Sequence, residues 1–143
     1  MEITNARLIL PDEIRRGSLS ILSGQIHKLS ADPATTKKAG ANTINLRGDY
    51  LAPGFIDMHI HGAMGRDTME ARLDAFRDIT EFHLHGGTTS LTLTTLSASQ
   101  KDILKALDAI APLRDLAIGG ARILGVHVEG PFISKEKTGA QNP

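Results

Sequence analysis

The sequence predicts an α/β fold built on a parallel sheet, and three observations carry that reading. Between Phe55 and Glu129, three segments patterned with a period of two alternate with two stretches whose apolar residues recur every three or four positions. Strand, helix, strand, helix, strand in this rhythm gives parallel strands joined by crossover helices. An open doubly wound sheet and part of a closed (β/α)8 barrel both satisfy the rhythm. The barrel is favoured because each strand segregates aliphatic residues to one side and polar or ionisable residues to the other, and polar groups at the carboxyl ends of barrel strands usually form the active site.

Residues 1 to about 52 have a different character. Short β-like runs at Ala6–Leu10, Ser18–Leu22, Gln25–Leu29 and Thr43–Leu46 are separated by turn residues, and Ser23-Gly24 suits a tight hairpin. The stretch from Asp32 to Asn42, rich in Ala, Thr, Lys and Gly, reads as a solvated loop. At Ala52-Pro53-Gly54 the pattern changes, so residues 53–143 form the second domain.

In that domain a strand is expected from about Phe55 to His61, with Ile56, Met58 and Ile60 facing the helices. A glycine-containing loop leads to a helix whose apolar residues are Met69, Leu73, Phe76, Ile79 and Phe82, ended by Gly86 and Gly87. Thr88 to Thr95 reads as a second strand with Leu91 and Leu93 on one face. Ser97 or Ser99 caps a second helix carrying the stripe Ile103, Leu104, Leu107, Ile110 and Leu113. A third strand is expected from about Arg122 to Glu129, with Leu124, Val126 and Val128 toward the helices.

Composition narrows the function classes. The chain has 143 residues, formal net charge zero and 3% aromatic residues, which leaves neither a basic field nor a stacking platform for nucleic acid. It contains no cysteine, so any metal must be held by histidine and carboxylate. No stretch approaches the roughly 18 consecutive apolar residues of a membrane helix, and no basic segment followed by an apolar run opens the chain. A soluble, unexported, cytoplasmic protein is expected. Phosphate-loop, dinucleotide and nucleophile-elbow signatures are missing, so neither a nucleotide cofactor nor a serine triad is indicated.

The chemistry concentrates in two runs. In Gly54-Phe55-Ile56-Asp57-Met58-His59-Ile60-His61-Gly62 the two histidines project from one face of a strand, a metal-binding arrangement. In Gly125-Val126-His127-Val128-Glu129-Gly130-Pro131 the same period puts His127 and Glu129 together, with the carboxylate at the rim. Two imidazoles and a hard anionic oxygen suit zinc or another divalent first-row metal, which would serve amide or ester hydrolysis at neutral pH. The weaker reading has His59 and His61 merely packed or hydrogen-bonded inside the barrel, and Glu129 paired with a cation. His83 and His85 share the spacing, but on a helix residues two apart point about 200° from each other, so they read as surface residues favourable to the helix dipole. His27 reads as a surface histidine. Asp57 either orients an imidazole or makes a structural hydrogen bond or ion pair.

The run Ala52-Pro53-Gly54-Phe55-Ile56-Asp57-Met58-His59-Ile60-His61-Gly62 resembles the opening strand of the amidohydrolase superfamily, shared with dihydroorotases and hydantoinases. Leu124-Gly125-Val126-His127-Val128-Glu129-Gly130-Pro131-Phe132, followed by Lys137-Thr138-Gly139-Ala140-Gln141-Asn142-Pro143, resembles the N-acetylglucosamine-6-phosphate deacetylases more specifically, as does Gly86-Gly87-Thr88-Thr89-Ser90. The resemblance implies a TIM-type metal-dependent hydrolase barrel preceded by part of a small β-sandwich that C-terminal strands complete. It implies hydrolysis of the N-acetyl group of N-acetylglucosamine 6-phosphate to glucosamine 6-phosphate and acetate in amino-sugar catabolism, with one or two divalent ions, zinc foremost and iron or another first-row metal as the alternative. It implies a homodimer at full length. By motif, Glu129 matches a metal-ligand glutamate, His59 and His61 match a pair that binds a second metal in two-metal members, and Ala140 matches a substrate contact through its backbone. The family usually has histidine where this chain has Gln141, the other expected substrate-binding position.

A closed barrel of this type takes about 250 residues. This chain supplies three of its eight strands, and the late-strand histidine ligands and proton-moving aspartate of the family have no counterpart in it. The expectation is therefore the N-terminal portion of a deacetylase, inactive alone. The alternatives are a non-catalytic remnant or assembly partner, and another amidohydrolase such as a cyclic-amide hydrolase.

Overall fold

The computed structural model describes residues 1–31, 42–114 and 116–141, and the chain divides into two compact units, Met1–Pro53 and Gly54–Pro143. Most of the loop expected at Asp32–Asn42 lies outside the described residues.

The first unit is a five-stranded sheet of β1 (Glu2–Ile9), β2 (Ile14–Leu22), β3 (Gln25–Ser30), β4 (Thr43–Asn45) and β5 (Tyr50–Leu51), in which β3, β2, β1 and β4 lie side by side and β5 also pairs with β1. The β1–β2 and β2–β3 pairs are antiparallel, whereas β4 and β5 run parallel to β1. Ser23 and Gly24 link β2 to β3 with φ of 52° and 77°, the paired positive values of a type I′ hairpin turn, whose twist matches that of the strands. Ala6, Leu8 and Leu19 are buried, but Ile14, Leu22 and Ile26 remain exposed.

In the second unit the expected alternation is present. β6 (Phe55–Ile60) is followed by a small hairpin of β7 (Gly62–Ala63) and β8 (Arg66–Asp67), then a 3-10 turn at Thr68–Glu70 and helix α1 (Leu73–His85). β9 (Thr88–Thr94), helix α2 (Gln100–Ile110) and β10 (Arg122–His127) complete it. The main sheet is parallel in the order β10, β9, β6, so β9 is central and both neighbours are edges. Ser99 is the N-cap of α2: its hydroxyl accepts from the Asp102 N–H at 3.2 Å and donates to the Asp102 carboxylate at 2.6 Å. Gly86 and Gly87 end α1, where their N–H groups donate to the His83 and Leu84 carbonyls.

One core lies between the sheet and the helices, formed by Ile60, Phe76, Ile79, Leu91, Leu93, Ile110, Leu113, Ala121 and Ile123. Its composition corrects the strict period of two expected for the outer strands. Asp57 pairs with Leu91 and Ile60 with Leu93, so β6 spends three residues where β9 spends two. A similar slip separates Ile123 from Gly125 opposite Leu91 and Thr92. Each extra residue turns its strand over. Consequently Ile60 alone of the three expected β6 residues is buried, with Ile56 65% and Met58 70% exposed. In β10 the core receives Ile123 and part of Val126, whereas Leu124 and Val128 are exposed. On the helices, Phe76, Ile79, Ile103 and Ile110 are buried as expected, but Leu73, Phe82 and Leu104 are not. Met69 belongs to the 3-10 turn before α1.

Two substitutions test these contacts. Gly120 lies where an added Cβ would collide with the Thr80 carbonyl carbon and the Glu81 nitrogen of α1. Gly120→Ala should lower stability by about 1–3 kcal/mol, seen as a lower urea midpoint at unchanged slope. Ser99→Ala removes the α2 cap and should cost about 1 kcal/mol in the same measurement.

Candidate metal centre

The hydrogen bonds that shape the site cluster toward the carboxyl ends of the three parallel strands. His61 follows β6 directly, and its carbonyl accepts from both the backbone N–H and the hydroxyl of Thr68, each at 2.8 Å. Between the histidines, the Ile60 N–H donates to the Thr94 hydroxyl at 3.0 Å. Asp57 does not reach an imidazole: its carboxylate accepts from the His59 backbone N–H at 3.1 Å, the structural alternative of its two readings. β10 ends at His127, so Glu129 lies in the loop beyond it rather than on the strand. There Thr95 holds its backbone on both sides, the hydroxyl accepting from the Glu129 N–H at 3.1 Å and donating to its carbonyl at 3.3 Å.

These supports bring three side chains to one point. His59 Nε2 and His61 Nε2 are 3.2 Å apart, and Glu129 Oε2 is 3.2 Å from the first and 3.1 Å from the second. Protons alone satisfy such a triangle poorly, because an imidazole nitrogen either donates or accepts and cannot do both. Glu129 Oε2 is buried and accepts no well-directed hydrogen bond. A divalent ion suits the same three atoms: bonds of about 2.0–2.1 Å in a tetrahedral set place neighbouring ligand atoms about 3.3 Å apart. Among the described residues, His59, His61 and Glu129 are the group of histidine and carboxylate side chains whose ligand atoms converge closely enough to hold a metal ion.

His127 stands beside this group. Its ring meets that of His59 edge to face, with centroids 4.7 Å apart, and so restricts the His59 ring plane. His83 and His85 lie in the last turn of α1, as expected, and His27 is exposed on β3. Ala140 is exposed, whereas Gln141 is buried, and its amide oxygen accepts from the Ser97 backbone N–H at 2.6 Å. The Gln141 side chain thus ties its own loop to the one after β9. The residues that the motif reading passed over are Thr68, Thr94 and Thr95, all fully buried. Three hydroxyls without accompanying ligand types give no metal signature in a sequence.

A charged cluster fastens the β7–β8 hairpin to α1. The Arg66 guanidinium bonds Asp78 at 2.8 Å and approaches Glu70 at 3.4 Å and Asp74 at 3.6 Å. The hydrogen bond to Asp78 chiefly raises the Arg66 pKa. Asp74 is held below the ordinary carboxylate range, first by its hydrogen bond from Arg72. Any stability it adds is therefore present above that range and lost as pH falls through its lowered value. Asp74 is exposed and Arg66 only half-buried, so solvent screens the contribution.

Residues 50–142 match the model of the amidohydrolase family. The chain is 34% identical over 132 residues to an N-acetylglucosamine-6-phosphate deacetylase of Bacillus subtilis, a match covering 90% of this chain and 33% of the relative. With the enzyme of that name from Mus musculus it shares 32% identity over 143 residues, 98% of this chain and 35% of the relative. Among solved structures, the N-acetylglucosamine-6-phosphate deacetylase of Thermotoga maritima superposes with a TM-score of 0.75 at 34% identity, covering 99% of this chain and 35% of that one. The chain thus spans about a third of the length of the curated relatives it matches. With residues 50–142 matching its model, the chain belongs to the amidohydrolase family.

Proposed function

We propose that this chain is the N-terminal portion of an N-acetylglucosamine-6-phosphate deacetylase, contributing His59, His61 and Glu129 as ligands of a catalytic divalent metal. The observation that carries the reading is the triangle of donor atoms with edges of 3.1–3.2 Å. Two neutral nitrogens and one anionic oxygen make zinc the first choice, with iron or another first-row metal as the alternative. When bound, such an ion makes water a nucleophile near neutral pH and polarises a carbonyl oxygen. The chain's own residues then hold and orient: the imidazoles and Glu129 fix the charge at the carboxyl ends of the strands, Ala140 offers backbone groups to the sugar, and Gln141 anchors that loop. In this reading the proton-moving aspartate that the resemblance implies comes from outside residues 1–143.

In this reading the second unit forms the first three strands of a (β/α)8 barrel, supported by the parallel order β6, β9, β10 and the exposed edges of β6 and β10. The first unit is part of a β-sandwich, supported by the bare Ile14, Leu22 and Ile26. An amino-sugar phosphate substrate accords with the relatives' names and a cytoplasmic location with the absence of cysteine, while a homodimer at full length is what the resemblance implies.

Zinc titration of the purified protein against a chromophoric chelator tests the site. Glu129→Gln keeps the shape and removes the charge, and should weaken binding at least about tenfold. Equal affinity in the variant and the parent would show that the ion sits elsewhere. Acetate release tests the reaction. Residues 1–143 alone should release none from N-acetylglucosamine 6-phosphate, and turnover by them would refute the assignment of proton transfer to a residue outside this chain. An inert sugar phosphate beside hydrolysis of a cyclic amide would instead favour the cyclic-amide hydrolases.

A further inference from the structure

We infer that Thr95 is a positioning residue for the metal site, setting metal affinity through the backbone of Glu129 without touching the ion. The inference rests on the metal-site reading above and concerns a residue that supplies no ligand. Glu129 lies two residues beyond the end of β10, where the sheet ladder no longer fixes it. Its carboxylate must nevertheless meet two imidazoles carried by β6 and the residue after it, on the far side of β9.

Thr95 bridges that gap. Its backbone N–H donates to the His127 carbonyl at 3.0 Å, continuing the β9–β10 ladder by one step. Its hydroxyl then accepts from the Glu129 N–H and donates to the Glu129 carbonyl, so one oxygen holds both polar groups of that residue. The side chain is fully buried, and a fully engaged buried hydroxyl has one orientation. Immediately before it, Thr94 accepts from the Ile60 N–H between the two histidines. The consecutive threonines therefore reach opposite ways from the central strand, Thr94 to the histidine segment and Thr95 to the glutamate.

The test compares zinc affinity and the Co²⁺ absorption spectrum in wild type, Thr95→Val and Thr95→Ser, with circular dichroism of each metal-free protein as the control for folding. Valine keeps the shape of threonine and loses the hydroxyl; serine keeps the hydroxyl. Residues that orient ligands typically alter metal affinity by about 10–100-fold, so Thr95→Val should bind zinc at least about tenfold more weakly, with a shifted Co²⁺ band, while Thr95→Ser stays within about threefold of wild type. A folded Thr95→Val protein with unchanged affinity and spectrum overturns the inference, as does a Thr95→Ser protein as weak as the valine variant. Should Thr95→Val fail to fold, Thr95→Ala takes its place against Thr95→Ser, and equal affinity in those two overturns it. Wild-type protein that takes up neither zinc nor Co²⁺ refutes the metal site itself, and this inference with it, an outcome distinct from variants that bind as well as wild type.

Discussion

The parallel pairing of β9 with β6 on one side and β10 on the other decides where His59, His61 and Glu129 can meet. Neither edge strand has a second neighbour among the described residues, so each takes its position from β9 alone. The pairing is irregular on both sides, with extra residues between Asp57 and Ile60 and between Ile123 and Gly125. A bulge re-aims the side chains that follow it, and such features recur beside active sites. Threonine hydroxyls work along the β6 side: Thr92 donates to the Met58 carbonyl at 2.6 Å and Thr94 accepts from Ile60. The irregular segment thereby gains fixed hydrogen bonds in place of a regular ladder.

Much of this architecture is legible in the sequence. The alternation of strand and helix, the hairpin at Ser23-Gly24, the Ser99 cap and the glycine end of α1 depend on local pattern, and local pattern is what a sequence displays. The convergence of His59, His61 and Glu129 also follows from simple rules, because the period of two holds over the short stretch from His59 to His61. The same rule fails over the full strands. Ile56, Met58, Leu124 and Val128 sit where unbroken alternation would face them to the helices, and a single extra residue in each strand turns them out. A bulge is a property of the pair of strands, so one strand's sequence does not announce it.

The buried threonines were hidden for a different reason. Thr94 and Thr95 have the β-branched shape that any strand accepts, so their presence on β9 needs no functional account. Their role appears only when the partner is known to be the backbone of a residue 34 positions away. Gln141 is a related case: the resemblance implies a substrate-binding position there, and its side chain is buried with the amide oxygen accepting from the Ser97 N–H. For both, what the side chain does is set by a tertiary hydrogen bond rather than by its type.

The charge balance of the site then links binding to folding. Glu129 Oε2 is buried and faces two imidazole nitrogens, with no lysine or arginine paired to it among the described residues. An anion in that position is costly unless a cation or a directed proton meets it. A divalent ion there would join β6 to the loop after β10 across β9, tying together the two elements that are each supported from one side only. Such an ion binds the folded arrangement and not the separated strands. By mass action it would stabilise the second unit by about 2.7 kcal/mol at one hundred times its dissociation constant. In the proposed reading the three side chains would serve the fold as well as the chemistry, and the threonines that place them would connect the two.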